Sequence, residues 1–136
     1  MSVDDVERLI YERSGLLGVS GLSNDMRGLL ASDSPSARHG VGLFVYRAGR
    51  ELGSLAAALR AIATLIFTAG IGKHSPVIRE RICAAAGWLG VVLDGYTNQR
   101  NASLISSEQS SVAVRVIPTD ENLTIAGHTR RLLDGR

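Results

Sequence analysis

Apolar residues change their spacing several times along this chain, and each change marks an element. Residues 4 to 13 predict a short polar helix. Ser14-Gly-Leu-Leu-Gly-Val-Ser-Gly-Leu-Ser23 is rich in Gly and Ser, and predicts a structured loop whose apolar residues can lie against a core. Asn24 to Ala31 can form a helical turn or two, with Ser23 or Asn24 as N-cap and Asp25 in the first turn, where the helix dipole favours an acid. Pro35, behind Ser34 as a cap, opens a long helix. Val41, Phe44, Val45, Ala48, Leu52, Leu55 and Leu59 recur there at steps of three or four and form one apolar stripe. Its interior glycines, Gly40, Gly42, Gly49 and Gly53, each cost about 1 kcal/mol against alanine, so this helix must rely on packing.

The second half changes period. Thr64-Leu-Ile-Phe-Thr-Ala69 is nearly continuous in apolar side chains and predicts a buried central strand that runs straight into the turn Gly70-Ile-Gly-Lys-His-Ser75. Pro76 starts the next helix, with Ile78, Ile82, Ala85, Ala86 and Leu89 on one face and Gly87 and Gly90 as the stop. Val91 to Leu93 predicts a second short strand, residues 94 to 111 a polar loop, and Val112 to Ile117 a third strand closed by Pro118. A last helix runs from about Glu121 to Leu133, capped by Thr119 or Asp120, and the tail 134 to 136 is expected to fray. The alternation points to an α/β layered domain, and no internal repeat is visible. Three short strands are few for such a sheet, an indication that the chain belongs to something larger.

Composition narrows the function. With 136 residues there is room for one domain, and 45% hydrophobic with 21% charged residues is globular, not disordered. A net charge of +2 without a basic block argues against nucleic acid. The acid-bearing start Met1 to Arg13 is unlike a signal peptide, and every apolar run is broken well before the roughly 20 residues of a membrane helix. A cytoplasmic protein that engages neither membrane nor nucleic acid is expected. Cys83, the single cysteine, excludes an intrachain disulfide and reads as a small buried helix residue.

Candidate chemistry gathers at three junctions. At Leu65-Ile-Phe-Thr-Ala-Gly-Ile-Gly-Lys-His-Ser-Pro76, a strand, a glycine turn and a helix start follow one another, an arrangement suited to offering backbone N–H groups to nucleotide phosphate or ribose, or else an ordinary tight strand-to-helix turn, which spacing alone favours. Phe67 and His74 break the P-loop pattern, and Ser75 breaks the dinucleotide fingerprint. Thr119-Asp120-Glu121 sets two acids beside a strand end, suited either to Mg²⁺ with substrate phosphates or to capping alone. Ser23-Asn-Asp-Met-Arg27 offers a carboxylate for a ribose hydroxyl and a guanidinium for phosphate, or else a surface capping pair.

Taken in order, these segments resemble the acetate kinase family. The resemblance is carried by Ser14-Gly-Leu-Leu-Gly-Val-Ser-Gly with Ser23-Asn-Asp-Met-Arg27, by Phe67-Thr-Ala-Gly-Ile-Gly72 with Ser75 and Ile78-Arg-Glu-Arg81, and by Val116-Ile-Pro-Thr-Asp-Glu121 leading into Ile125-Ala126. It spans about residues 8 to 133. It implies an α/β, ribonuclease H-like domain of the superfamily that contains actin, sugar kinases and heat-shock 70 ATPases. The implied kinase transfers the γ-phosphoryl of ATP to acetate with Mg²⁺, giving acetyl phosphate and ADP, or the reverse. By position, Asp25, Met26, Arg27, Gly70, Ile71, Gly72 and His74 fall on the nucleotide side and Glu121 on the metal-linked glutamate.

Two departures accompany the resemblance. Lys73 stands where the family usually carries a glutamate, so a carboxylate has become an ammonium. Residues 1 to 136 correspond to a C-terminal nucleotide-binding part, and the family's N-terminal domain, with the arginine, histidine and aspartate residues around acetate and phosphoryl, has no counterpart here. No catalytic residue is therefore expected in this stretch, and half a cleft should not catalyse alone. The implied whole is a homodimer acting on acetate or, as in the related propionate kinases, propionate; the competing class is an inactive remnant or nucleotide-binding fragment.

Overall fold

The computed structural model describes residues 1–119 and 121–134, without the side chains of residues 121–124. The elements in chain order are helix α1 (Val3–Glu12), α2 (Gly15–Ser20), α3 (Met26–Leu30), α4 (Pro35–Leu59), strand β1 (Thr64–Phe67), α5 (Ala69–His74), α6 (Pro76–Ala85), a 3₁₀ turn at Gly87–Leu89, α7 (Gly95–Gln99), strand β2 (Ala113–Val116) and α8 (Glu121–Asp134). Asp120, proposed above as a cap, and the tail residues Gly135 and Arg136 lie outside the described residues. No described helix is long and apolar enough to cross a membrane.

Two segments expected to be loop are helical. The Gly/Ser stretch forms α2, because packing on α4 compensates for poor propensity, and Gly21 ends it in the left-handed region at φ 64°. Close approach is what α4 supplies. A Cβ on Gly40 would stand 3.3 Å from the Ser20 Cβ, so this interior glycine is the contact point of the two helices. Inside the predicted polar loop, the Asp94 carboxylate accepts from the Tyr96 and Thr97 amides at 2.9 and 3.0 Å and starts α7. Five residues are too few to show a period.

Caps also shift by a residue or two. Asp25, expected in the first turn of α3, is its N-cap and accepts from the Arg27 amide at 3.0 Å, while the Ser23 hydroxyl accepts from the Asp25 amide. Ser34 caps α4 as expected, ahead of Pro35 at the first helical position. The predicted stripe of α4 is buried or half-buried from Val41 to Leu52, but Leu55 and Leu59 are exposed.

The sheet is smaller than expected. β1 and β2 pair in parallel, Thr64 with Ala113 through Phe67 with Val116, and these are its two strands among the described residues. β1 is thus an edge with Ile66 half in solvent, not a buried central strand. The expected strand at Val91–Leu93 is reduced to a single bridge, Leu93 to Ser106. The core gathers Met26 and Leu29 of α3, Ala37 and Val41 of α4, Ile78, Ile82 and Cys83 of α6, and Val114 and Val116 of β2. That places α/β layers around one core, with α3 and α5 at its margin.

If this core holds α3, truncation there must cost more than the same truncation on the exposed end of α4. Leu29, 2% exposed, should lose about 2–5 kcal/mol on replacement by alanine. Leu59→Ala, at a site 68% exposed, should stay within about 0.5 kcal/mol. Urea unfolding of the two variants measures both.

Candidate functional site

The chain leaves β1 after Phe67 and turns sharply, with Ala69 at φ 56°, a left-handed conformation that costs a non-glycine residue energy. The following Gly70 to His74, expected as a turn, belongs to the helix α5, and Ser75 breaks it at φ −121° and ψ 87° before Pro76 opens α6. This junction faces α3. Between them lies a cleft of about 360 Å³ lined by Asp25, Met26, Arg27, Gly70, Ile71, His74 and Ser75. A volume of that size suits a small ligand.

Six of the seven residues singled out on the sequence for nucleotide contact therefore meet on one wall-to-wall surface, although α4 and β1 separate their segments. Gly72 is the exception. It faces an adjoining apolar cavity of about 420 Å³ with Phe67, Ile78 and Ile82, and an added Cβ would stand 3.3 Å from the Phe67 carbonyl carbon. At Gly70 an added Cβ would meet nothing within 4 Å. Gly72 lets the helix close on the strand, whereas Gly70 leaves the cleft open. Ser75, which joins the lining, was named above as part of the turn but not as a nucleotide contact.

Charge at the mouth is supplied by a fork. The Arg27 guanidinium donates to both Asp25 oxygens, Nε at 3.4 Å and Nη2 at 3.2 Å. The Arg27 amide, then its side chain, holds the Asp25 carboxyl below the usual carboxylate range, so it stays ionised at neutral pH. Arg27 is 87% exposed, which leaves it free to exchange Asp25 for a ligand anion. His74 completes a polar rim over the apolar floor of Met26 and Ile71.

Behind the cleft lies a buried cation. Arg79, 0% exposed, donates from Nε to Asn98 Oδ1 at 2.8 Å, from Nη1 to the carbonyls of Gly72 and Lys73 at 2.8 and 2.9 Å, and from Nη2 to the Asn98 carbonyl and Asn101 Oδ1 at 2.7 and 2.8 Å. All five N–H donors are used, every partner is neutral, and burial pulls its pKa down. Asn98 in turn donates to the Pro76 carbonyl at 3.0 Å. Sequence reading quoted Arg79 only as part of a segment. Its signal is a charged residue on the inward arc of α6, between Ile78 and Ile82.

For a metal, the described residues hold no cluster of three His, Cys, Asp or Glu. Asp25 is the one described carboxylate on the cleft, and Arg27 already engages it. The side chain of Glu121 lies outside the described residues. In sequence it directly follows Asp120, and two neighbouring acids are a donor set that Mg²⁺ accepts together with substrate phosphates.

A model of the acetokinase family matches residues 1–127. An acetate kinase from Rhodopseudomonas palustris is 56% identical over 137 aligned residues, covering 99% of this chain and 34% of that protein. The chain belongs to the acetokinase family. It spans about a third of the length of the curated relatives it matches. Among solved structures, the acetate kinase of Porphyromonas gingivalis superposes with TM-score 0.83 at 32% identity, over 98% of this chain and 35% of that one. A propionate kinase from Francisella tularensis gives 0.82 at 31%, over 93% and 33%. The acetokinase fold is thereby shared by enzymes named for two different acyl groups.

Cys83 lies 2% exposed on α6, and burial pushes its thiol from 9.0 up to about 11, with the nearby Arg79 charge opposing. It is expected to resist a thiol-exchange reagent at about pH 8 until urea is added. The unfolded chain ionises this thiol first. Its contribution to stability is therefore complete below pH 9.0 and declines as pH rises towards about 11, a decline that Cys83→Ala should lack when urea midpoints are compared.

Proposed function

We propose that this chain supplies the nucleotide side of an acetate kinase-type phosphotransferase, in which the γ-phosphoryl of ATP passes to acetate to give acetyl phosphate and ADP, or the reverse. The observation that carries the reading is the single cleft in which Asp25, Met26 and Arg27 meet Gly70, Ile71 and His74. Membership in the acetokinase family supplies the reaction class.

In this reading the apolar floor and the open space at Gly70 receive the adenosine, Asp25 accepts from a ribose hydroxyl, and Arg27 turns from Asp25 to phosphate. Glu121 would hold Mg²⁺ directly or through water, and the ion would supply charge neutralisation at the phosphates. Residues 1–136 act as a C-terminal nucleotide-binding part, and the groups around acetate and the transferred phosphoryl belong to the length of the relatives that these residues do not cover. The near-equal likeness to an acetate and a propionate kinase agrees with an acyl pocket placed elsewhere.

The direct assay is acetyl phosphate formation by the purified chain with ATP, acetate and Mg²⁺, alone and after addition of the separately expressed remainder of the Rhodopseudomonas palustris relative. Turnover should appear only on mixing. Nucleotide binding without turnover in the mixture would favour an inactive remnant.

The two glycines should separate binding from folding. In the reconstituted enzyme, Gly70→Val is expected to raise the KM for ATP at least about tenfold with little change in melting temperature, whereas Gly72→Ala should lower the melting temperature through contact with Phe67. An unchanged KM in Gly70→Val removes this turn from the site. Glu121→Gln should depress kcat strongly at a stability loss under about 1 kcal/mol, since the amide can still serve a helix start but carries no charge.

A further inference from the structure

α5 has little of its own to stand on. It has six residues, its N-cap Thr68 makes no side-chain cap bond, its first residue Ala69 sits at φ 56°, and none of its residues is fully buried. A helix this short does not persist through its own hydrogen bonds. Yet it carries three of the residues that line the cleft, Gly70, Ile71 and His74.

The strongest tie on α5 comes from outside it. Two of its last carbonyls, those of Gly72 and Lys73, both accept from Nη1 of Arg79, and the other edge of the same planar guanidinium is pinned by Asn98 and Asn101 beyond α6. A guanidinium holds such a fork rigidly, while an ammonium has only three donors on one atom and cannot serve all five acceptors. The absence of a carboxylate among these partners matters as well. A buried guanidinium needs acceptors for all five N–H groups, and here neutral oxygens supply every one, which is what makes the burial tolerable.

We propose that Arg79 is a positioning residue for the nucleotide, which through the carbonyls of Gly72 and Lys73 sets where Gly70, Ile71 and His74 stand on the cleft. This rests on the reading of that cleft as the nucleotide site. Arg79 itself does not line it. Its effect is geometric, so retaining the positive charge without the fork must not suffice.

The test compares Arg79→Lys and Asn101→Gly with the unsubstituted 136-residue chain, in ADP binding by calorimetry and in amide hydrogen exchange. Glycine at 101 tolerates the φ of 52° found there and removes one acceptor, a milder change should the lysine variant fold poorly. Ile105→Val, a fully buried residue away from the cleft lining, serves as a control for general destabilisation. Expected for Arg79→Lys is exchange in residues 70–74 faster by at least about tenfold, with α4 unchanged, and ADP affinity weaker by a similar factor. Asn101→Gly should show both effects to a lesser degree, and Ile105→Val neither.

ADP affinity retained in Arg79→Lys overturns the proposal, as does a uniform rise in exchange along the chain with affinity following the control. If Arg79→Lys does not fold, unchanged exchange and affinity in Asn101→Gly overturn it. Failure of the unsubstituted chain to bind ADP removes the cleft reading, and the proposal with it; loss of the proposal alone is recognised by ADP binding that survives substitution.

Discussion

The cleft depends on two helices that are too short to exist alone. α3 has five residues and α5 has six, and both lie at the margin of a core built by α4, α6 and β2. Helical hydrogen bonds add little until a segment is several turns long, so the position of each must be set by its neighbours. α3 is fastened by apolar burial, with Met26 and Leu29 inserted into the core. α5 is fastened mainly by polar bonds, through Arg79, and by the close approach of Gly72 to Phe67. The two walls of one site are thus held by different physics, and a change of solvent that weakens one need not weaken the other equally.

Burial also sorts the charges into two roles. Asp25 and Arg27 sit at the mouth, where water screens them and their pairing is worth little, so either can exchange its partner for a ligand group at small cost. Arg79 lies where solvent cannot compensate it, and its partners cannot be given up without leaving buried polar atoms unsatisfied. An exposed cation at the mouth and a buried cation behind it are both arginines, distinguished by surroundings alone.

Long elements were legible in the sequence because periodicity and punctuation agree there: Ser34-Pro35 opens α4, Pro76 opens α6, and Gly90 ends the turn after it at φ 83°. The order of motifs gave the acetokinase resemblance, which the family match bears out. What could not be read is what tertiary contact decides. α2 and α7 have no propensity signal, and the apolar run of β1 reads as central because apolar side chains signal burial without fixing how many strands flank them, while the described sheet has two strands. The site residues show the same limit. Motif position grouped Gly70 with Gly72, and only the geometry shows that one glycine opens on the cleft and the other makes room for Phe67. Arg79 was visible as a letter in a motif, but its five acceptors lie on α5, α7 and the residue after α7's cap, contacts no spacing rule predicts.

Lys73 gains an explanation from the same geometry. On the sequence it stands where the family usually carries a carboxylate, a change equally compatible with helping to hold an anion and with disturbing an ion pair. In the structure the residue is half-buried in the last turn of α5, does not line the cleft, and serves Arg79 through its backbone carbonyl, a group that every side chain leaves in place. A cation in the last turn of a helix also lies at the favourable end of the dipole, and Lys73 and His74 both do. The substitution therefore changes the local charge without touching the bond that anchors the helix. Position 73 can vary in charge for the reason that position 79 cannot: the one contributes a main-chain oxygen to the knot, the other all of its donors.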